Sequence, residues 1–380
     1  MEIVLSKNCL NTALTHTFGI ADRKSSMQIL SNVLISTVGP KQVQFATTDL
    51  NISVNGIFPA QVKDEGSITI LAKTLHDIVR SMPEGEITIQ TENETVTVTG
   101  GRSKFKLLGL SSEDFPKLPE IEEVNFFEVD SLLVCKMIDR TSFSISSDET
   151  RPHINGGLFQ GDGKILRMVT TDGHRLSKVE YKTDSGGFYN FHMVIPNKGI
   201  IEIKKLLEEG EGPAFIGSME GSLFLKKEVE VEKAVDGEPP QMADFVLVSK
   251  LIDAEFPPYD QVIPNSFEKD IVVLRQPIFE ALKRVSVVSS ERTLGVKFVF
   301  SEGALEILTD NPSVGEGSEL VDINYSSEEM AIGFNARYFI EVLSVLNEEE
   351  IHLELSGPLD PVVVKSSDGS FIGVIMPMRI

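Results

Sequence analysis

TILAK (69–73), MVIPNK (193–198) and AIGFNAR (331–337) are three versions of one sequence pattern. Each is a strand-like run that passes through a short turn to a basic residue and then enters a helical apolar periodicity. The three basic residues are 125 and 139 positions apart. A repeat of this length is too long for a solenoid unit and matches a whole small domain.

A second sequence feature, a Thr-Asp pair, recurs at nearly the same spacing along the chain. Strand-like runs end in Thr-Asp at Thr48, Thr171 and Thr309, which are 123 and 138 positions apart. Because the two sets of spacings agree within two residues, chance is a poor explanation for them. The chain therefore predicts three similar domains, which favours a curved or closed assembly.

Two linkers separate the copies. PKLPEIEE (116–123) is rich in Pro and Glu and joins the first copy to the second. FPPYDQVIP (256–264) joins the second copy to the third. The predicted domains are therefore residues 1–124, 125–257 and 258–380.

Each copy reads as helix, strands, helix, strands. The first helices are predicted at residues 7–18, 131–143 and 276–287, and the second helices directly after the three basic residues. Alternating apolar and polar residues in EITIQTENETVTVTG (86–100) and KFVFSEGALEIL (297–308) predict hairpins. The predicted fold class is α+β, with antiparallel sheets whose apolar faces are covered by a helical layer.

Composition excludes several classes of protein. With 35 basic and 57 acidic residues the net charge is −22, which argues against broad adhesion to nucleic acid but leaves room for a local basic surface. No secretory signal and no apolar stretch of membrane-spanning length is evident. Cys9 and Cys135 lie in apolar helical segments, so we expect two buried free thiols in a reducing compartment.

Motifs for cofactors and metals are missing from the sequence. GGLFQGDGK (156–164) is glycine-rich but has the wrong spacing for a phosphate-binding loop. No dinucleotide fingerprint opens a helix, and the six histidines show no metal-ligand spacing. We expect no cofactor and no metal site.

TTDGHRLS (170–177) allows three interpretations. Asp172, His174 and Ser177 could form a hydrolase triad, although no nucleophile elbow or oxyanion donor is indicated. The segment could also be only a tight Asp-Gly turn between strands. A cation beside an apolar side chain suits peptide docking better, and this interpretation is favoured. The apolar terminus GVIMPMRI (373–380) predicts docking into the fold or onto a partner.

The few basic residues concentrate on predicted helices, as in Lys136 with Arg140 and Lys283 with Arg284. If the repeats are equivalent, these helices place their basic faces on one concave surface of an acidic protein. Residues 226–245 account for the extra length of the middle copy, and we expect them to form a charged, exposed hairpin or loop of unassigned role.

TTDGHRL, FPPY and the terminal VIMPMRI, together with MPEGEITI (82–89), SKLIDAEFPPY (249–259) and IGFNARYFIEVL (332–343), closely resemble the bacterial DNA polymerase III beta subunits, the sliding clamps. The resemblance covers the whole chain. It implies a non-catalytic cytoplasmic processivity factor whose three domains form a crescent, and a homodimer joined head to tail into a ring around duplex DNA. Implied partners are the clamp loader, the replicative polymerase alpha subunit and other proteins with clamp-binding motifs. A peptide-binding scaffold acting without DNA is the alternative.

The resemblance also carries site residues onto this sequence. Implied contacts to DNA phosphates, without sequence specificity, are Arg23, Lys24, Lys73, Arg151 and Lys198. The implied peptide pocket consists of Ile154, Thr171, Gly173, His174, Arg175, Leu176, Pro257, Val262, Val374, Met376, Pro377, Met378 and Arg379, with Asn335 and Tyr338 in a second subsite. The implied ring interface sets Arg102 and Lys104 against Glu316 and Glu319 of the other subunit. Pro152, His153 and Gln261 depart from the usual residues near the pocket, which bears on its peptide preference.

Overall fold

The computed structural model describes residues 1–22, 25–183, 189–210, 212–234, 239–264, 266–290 and 294–379. The α-helices in these ranges are α1 (Lys7–Phe18), α2 (Ala72–Ser81), α3 (Ser131–Thr141), α4 (Asn197–Leu207), α5 (Arg275–Ser286) and α6 (Ala336–Val345). None of them is long and apolar enough to cross a membrane.

The β-strands of the first part of the chain are β1 (Glu2–Ser6), β2 (Asn32–Thr37), β3 (Gln42–Thr48), β4 (Ile52–Pro59), β5 (Gln61–Asp64), β6 (Ser67–Leu71), β7 (Glu86–Glu92), β8 (Thr95–Gly100), β9 (Ser103–Leu110) and β10 (Phe126–Val129). Those of the middle part are β11 (Gly156–Gly163), β12 (Ile165–Thr171), β13 (Arg175–Lys182), β14 (Tyr189–Pro196), β15 (Ala214–Met219), β16 (Ser222–Glu232) and β17 (Gln241–Lys250). The last part contains β18 (Lys269–Leu274), β19 (Gly295–Ser301), β20 (Ala304–Asn311), β21 (Gly315–Asp322), β22 (Met330–Asn335), β23 (Glu350–Leu355), β24 (Val362–Ser366) and β25 (Phe371–Ile375).

The chain divides into two compact units. The first unit is Met1–Cys135 with Lys198–Leu251, and the second is Lys136–Asn197 with Ile252–Ile380. The first unit holds a sheet in the order β10-β15-β16-β17-β4-β3-β2-β6-β9-β8-β7-β1-β5. The second holds one sheet in the order β14-β11-β12-β13-β25-β24-β23-β18 and another in the order β21-β20-β19-β22.

The middle repeat contributes to both units because its strands pair with those of its neighbours. In the first unit β17 pairs antiparallel with β4, and in the second unit β13 pairs antiparallel with β25. Sheets therefore continue from one repeat into the next. The backbone groups of β4 and β13 that would otherwise face solvent at a sheet edge are paired with the neighbouring repeat.

The helices begin and end close to their predicted positions. α1 has the predicted bounds, and the Ser6 hydroxyl accepts a hydrogen bond of 3.1 Å from the Cys9 amide at its N-terminus. α3 ends at Thr141, earlier than predicted, and a 3₁₀ turn (Ser142–Ser144) completes the segment. The two predicted hairpins form as β7–β8 and β19–β20.

The cysteines are as expected, since Cys9 and Cys135 are both buried thiols and the two are not joined in a disulfide. Burial, followed by the charge of Glu232, raises the pKa of the Cys9 thiol to about 12. A thiol in this state is a poor nucleophile.

The prediction of an exposed hairpin at residues 226–245 is wrong in one respect. A hairpin forms from β16 and β17, with residues 235–238 outside the described part, but one of its faces is buried. The Lys227 side chain is only 2% exposed, and its ammonium donates to the carbonyls of Leu207 (2.7 Å) and Gly210 (3.0 Å). Lys227 therefore supplies hydrogen-bond donors at the C-terminal end of α4, where backbone carbonyls lack partners within the helix.

Candidate peptide-binding site

The second unit contains a cavity of about 220 Å³ where the turn between β12 and β13 meets the end of β25. It is lined by Arg151, His153, Ile154, Thr171, Gly173, Arg175, Leu176, Pro257, Tyr259, Val262, Val374 and Met376. Its floor is apolar because alternate side chains of β13 and β25 point the same way, and Leu176 stands directly opposite Val374 in the register.

The turn that shapes this cavity is built by its own side chains. The Thr171 hydroxyl accepts from the Gly173 amide (3.1 Å) and donates to the Arg175 carbonyl (2.6 Å). The Asp172 carboxylate accepts from the amides of His174 and Arg175 at 2.9 and 3.0 Å. Gly173 has φ +89°, a conformation that favours glycine. The predicted Asp-Gly turn is thus rigid, with polar groups satisfied locally.

Arg175 lines the cavity, but its guanidinium is already engaged. It donates to the Asp172 carboxylate (3.0 Å), the Phe143 carbonyl (2.6 Å) and the Glu341 carboxylate. Its central carbon lies 4.6 Å from the centre of the Tyr338 ring. Tyr338, which was predicted in a second subsite, does not line the cavity. Its ring instead stacks on the guanidinium of Arg175, which does line the cavity.

The C-terminal residues are anchored by backbone hydrogen bonds. The Met376 amide donates to the His174 carbonyl (3.0 Å) and the Met378 amide to the Gly333 carbonyl (2.8 Å). Met376 lines the cavity, whereas Pro377, Met378 and Arg379 do not. The terminal strand β25 lies between β13 and β24, so the terminus docks into the fold.

Among the remaining predicted pocket residues, His174 is exposed on the turn and Asn335 accepts from the Arg337 amide (2.9 Å) at the start of α6. Neither lines the cavity. Tyr259 does line it and was not predicted. The signal was present, because Tyr259 ends the FPPY stretch two positions after Pro257.

The buried Tyr259 ring, which lines the cavity, lies close to the partly buried Arg167. Burial raises the pKa of the Tyr259 hydroxyl against the opposing effect of the Arg167 guanidinium. The ring also packs in the apolar cluster that contains Leu176 and Val374. Tyr259 therefore gives the cavity a rigid aromatic wall with a polar end.

A hydrolase triad is incompatible with this geometry. The Ser177 side chain is fully buried, and its hydroxyl shares a 2.7 Å hydrogen bond with that of Ser144. Asp172 is committed to the turn and to Arg175. Of the described residues, no group of three or more His, Cys, Asp or Glu is arranged to hold a metal ion.

Two predicted DNA-binding residues, Arg23 and Lys24, lie outside the described part of the chain. Lys73 is half-exposed at the start of α2 and donates to the Asp77 carboxylate at 2.6 Å. This hydrogen bond lowers the pKa of the Asp77 carboxyl group.

The other two candidate DNA contacts also carry a carboxylate partner. Lys198 at the start of α4 donates to Asp49, and Arg151 donates to Asp148 at 2.8 Å. Lys73, Arg151 and Lys198 are all partly exposed, yet a carboxylate of the same chain neutralises the charge of each. Arg151 also lines the cavity described above.

Not all of the predicted basic helix faces are exposed. Arg140 on α3 is buried, and its guanidinium donates to the carboxylate of Glu348 (2.7 Å) and to the hydroxyls of Tyr181 and Ser370. Although burial opposes it, the Arg140 guanidinium holds the pKa of Glu348 below its usual value. The expectation that Arg140 contributes to a common basic surface is therefore wrong.

The residues predicted at a ring interface lie on or directly beside two strands that have a free edge. Arg102 and Lys104 are exposed, and β9 pairs with β6 only through Gly109 and Leu110, so its other residues leave one edge free. Leu108 on this free edge is 85% exposed. Long exposed edges with apolar side chains are recognised as pairing surfaces.

The second edge strand is β21, which ends the four-stranded sheet. Glu316 and Glu319 lie on it, together with Leu320, whose side chain is 64% exposed. Glu319 already accepts a 2.9 Å hydrogen bond from Arg284 of the same chain, which lowers the pKa of its carboxyl group. The two edges are therefore opposite in charge and both partly apolar.

Comparison with known families places the whole chain in one group. Residues 1–119 match the DNA polymerase III beta subunit N-terminal domain, residues 128–258 its central domain and residues 260–379 its C-terminal domain.

Individual relatives agree along their full lengths. The chain is 32% identical to the beta sliding clamp of Pseudomonas aeruginosa and 30% identical to that of Escherichia coli strain K12, covering 100% of both chains in each case. The crystal structure of the Pseudomonas aeruginosa DNA polymerase III subunit beta matches with a TM-score of 0.88 at 31% identity over 100% of both chains. A Pseudomonas aeruginosa clamp bound to griselimycin matches with a TM-score of 0.89 at 31% identity, again over 100% of both chains.

Proposed function

Since this chain belongs to the DNA polymerase III beta subunit family, the beta sliding clamps, and is a non-catalytic processivity factor, we propose that two copies close head to tail into a ring around duplex DNA. The observation that carries the proposal is the unbroken succession of three clamp domains along the chain. We take the domains as residues 1–124, 125–257 and 258–380, and the setting as the bacterial cytoplasm. A ring holds DNA by topology, so strong phosphate contacts are unnecessary.

Weak contacts to the DNA backbone suit such a ring. The proposed contacts are Arg23, Lys24, Lys73, Arg151 and Lys198. The carboxylate partners of Lys73, Arg151 and Lys198 reduce the attraction of each cation for phosphate. Backbone contacts of this kind carry no sequence information, and their weakness favours movement along the duplex.

The cavity in the second unit is the proposed site for short peptide motifs. Its occupants would be segments of the clamp loader, the polymerase alpha subunit and other proteins with clamp-binding motifs. An apolar floor of Leu176 and Val374 beside the aromatic wall of Tyr259 accepts one or two apolar anchors. Each buried anchor contributes roughly 1.5–3 kcal/mol, so partners bind modestly and can exchange. Asn335 and Tyr338 would form the second subsite.

The ring interface would join β9 of one subunit to β21 of the other. Arg102 and Lys104 would face Glu316 and Glu319, while Leu108 and Leu320 lose their exposure to water. Because each subunit offers one edge of each kind, two copies in head-to-tail contact leave neither edge free.

The test is retention of the full-length protein on DNA. The matching clamp loader and ATP place it on a nicked circular plasmid, which is then either left circular or linearised. We expect the protein to remain on the circle and to leave the linear form. Equal retention on both would overturn the ring, and no retention on either would favour a peptide-binding scaffold that acts without DNA.

A further inference from the structure

The first unit contains a groove at the place in the repeat where the second unit has its cavity. We call it the linker groove, and its floor consists of Ser53 and Asn55 of β4 with Val246 and Val248 of β17. Linker residues 118–122 form its wall, and its volume is about 200 Å³, against about 220 Å³ for the cavity.

The two hollows are built in the same way. In each, a strand that follows a Thr-Asp turn pairs with a strand of the next repeat, and the linker between those repeats covers one side. Ser53 stands opposite Val248 in the linker groove, as Leu176 stands opposite Val374 in the cavity. The repeat that builds one peptide-sized hollow therefore builds another.

The floor of the linker groove is apolar where β17 supplies it, whereas Ser53 and Asn55 of β4 add polar side chains. Val248 belongs to a buried cluster with Val124 and Phe224, and Val246 and Ile121 pack against it only partly buried. Phe224 and Met219 continue the surface into an adjoining hollow of about 420 Å³ that shares the linker wall. Apolar and polar side chains therefore alternate along the two adjoining hollows. This arrangement suits the alternate side chains of an extended peptide.

The charge of the rim differs from that of the cavity. Glu120, Glu122, Glu123 and Glu220 border the linker groove and its extension. All four are exposed, and none forms an ion pair within the described part of the chain. Lys226 stands opposite Val246 in the strand register but lines neither hollow, and its ammonium lies 4.1 Å from the centre of the Phe126 ring. The rim is thus acidic overall, where the cavity is bordered by Arg151, His153 and Arg175.

We propose that the linker groove binds a short segment of a partner protein that carries apolar anchors flanked by Lys or Arg. The apolar side chains of β17 and the linker supply affinity, and the exposed glutamates of the rim favour Lys or Arg beside the anchors and disfavour acidic segments. The proposal does not depend on ring formation or on the occupant of the cavity.

The test uses fluorescence anisotropy of two labelled peptides with the full-length protein at low salt, where exposed charges are least screened. The probe is Lys-Leu-Lys-Leu-Phe-Lys, and the control, with the same charge, is Lys-Ser-Lys-Ser-Gly-Lys. We expect the probe to bind at least about tenfold more tightly, because only the probe has anchors for the apolar side chains of the groove.

Variants then locate the binding. Replacing Glu120, Glu122 and Glu123 together by Gln should weaken probe binding by about tenfold, since each lost charge pair contributes modestly. A matched triple change of exposed glutamates elsewhere, Glu65, Glu94 and Glu302 to Gln, should weaken it by less than about threefold. Equal weakening by both triples would mean attraction to the net negative charge alone and would overturn the proposal.

Two further variants complete the test. Val246→Lys should abolish probe binding, with thermal unfolding recorded to verify the fold, whereas Val262→Glu in the cavity should leave binding unchanged. Loss of binding in Val262→Glu would place the probe in the cavity. If sedimentation without peptide shows self-association that Val246→Lys removes but Val262→Glu does not, a second copy of the chain covers the groove. Either result contradicts a partner peptide as the occupant.

Discussion

If the proposed ring forms, Leu108 on the free edge of β9, which is 85% exposed in the single subunit, becomes buried in the interface. Shortening it by Leu108→Ala removes three carbon groups, each worth about 0.8 kcal/mol when buried. The cost is therefore about 2 kcal/mol at each interface, and about 4 kcal/mol for a ring closed by two equivalent interfaces. The dissociation constant of the dimer should rise by about a thousandfold.

The stability of each subunit should change little, because an exposed side chain has few contacts to lose. Sedimentation equilibrium across a range of concentrations measures the first effect, and thermal unfolding of the dilute subunit measures the second. Leu359→Ala is the matched control, since Leu359 is 74% exposed and lies in the turn between β23 and β24, outside the two edge strands. A dimer dissociation constant unchanged by Leu108→Ala would refute the proposed interface, as would an equal effect of Leu359→Ala.

Three other predictions follow from the described contacts. Ending the chain after Ile375 should abolish binding of polymerase-derived peptides in a titration while dimerisation persists, because the removed Met376 lines the cavity; undiminished peptide affinity would contradict the site. Lys227→Met should lower the free energy of unfolding by about 2–4 kcal/mol in chemical denaturation, since two carbonyls lose their donor; an unchanged value would mean that the relief of ammonium desolvation cancels the loss. Asp368→Asn should lower the melting temperature at neutral pH but not near pH 2. Although burial opposes it, hydrogen bonds from Ser366 and Ser370 lower the pKa of Asp368 to about 2, and this stabilisation is complete above the unfolded value of 3.8 and disappears as the pH falls through about 2. A difference that persists at pH 2 would contradict this assignment.

Local elements were predictable wherever a short pattern was sufficient. α1 combines a Ser6 cap with apolar residues at helical spacing, and its bounds were predicted correctly. The turn at Gly173 followed from Asp-Gly between two strand-like runs. In both cases the interactions that decide the structure lie within a few residues of each other.

Long-range pairing was not predictable in the same way. Arg140 and Lys136 have the spacing of one helix face, yet Arg140 is buried and donates a hydrogen bond to Glu348, 208 positions away. Lys227 looked like part of a solvated charged hairpin and is instead enclosed at the end of α4. A charged side chain can be buried only where partners compensate its desolvation, and those partners come from other elements.

The threefold recurrence of strand, turn and helix was determined by the sequence alone, because periodicity and turn chemistry act over short distances. The tertiary structure decided which residues share a surface. Leu176 meets Val374, and Ser53 meets Val248, only because strands of neighbouring repeats pair across nearly two hundred residues. The same pairing places the middle repeat in both units and creates both hollows, since a sheet that continues between repeats leaves space beneath each linker.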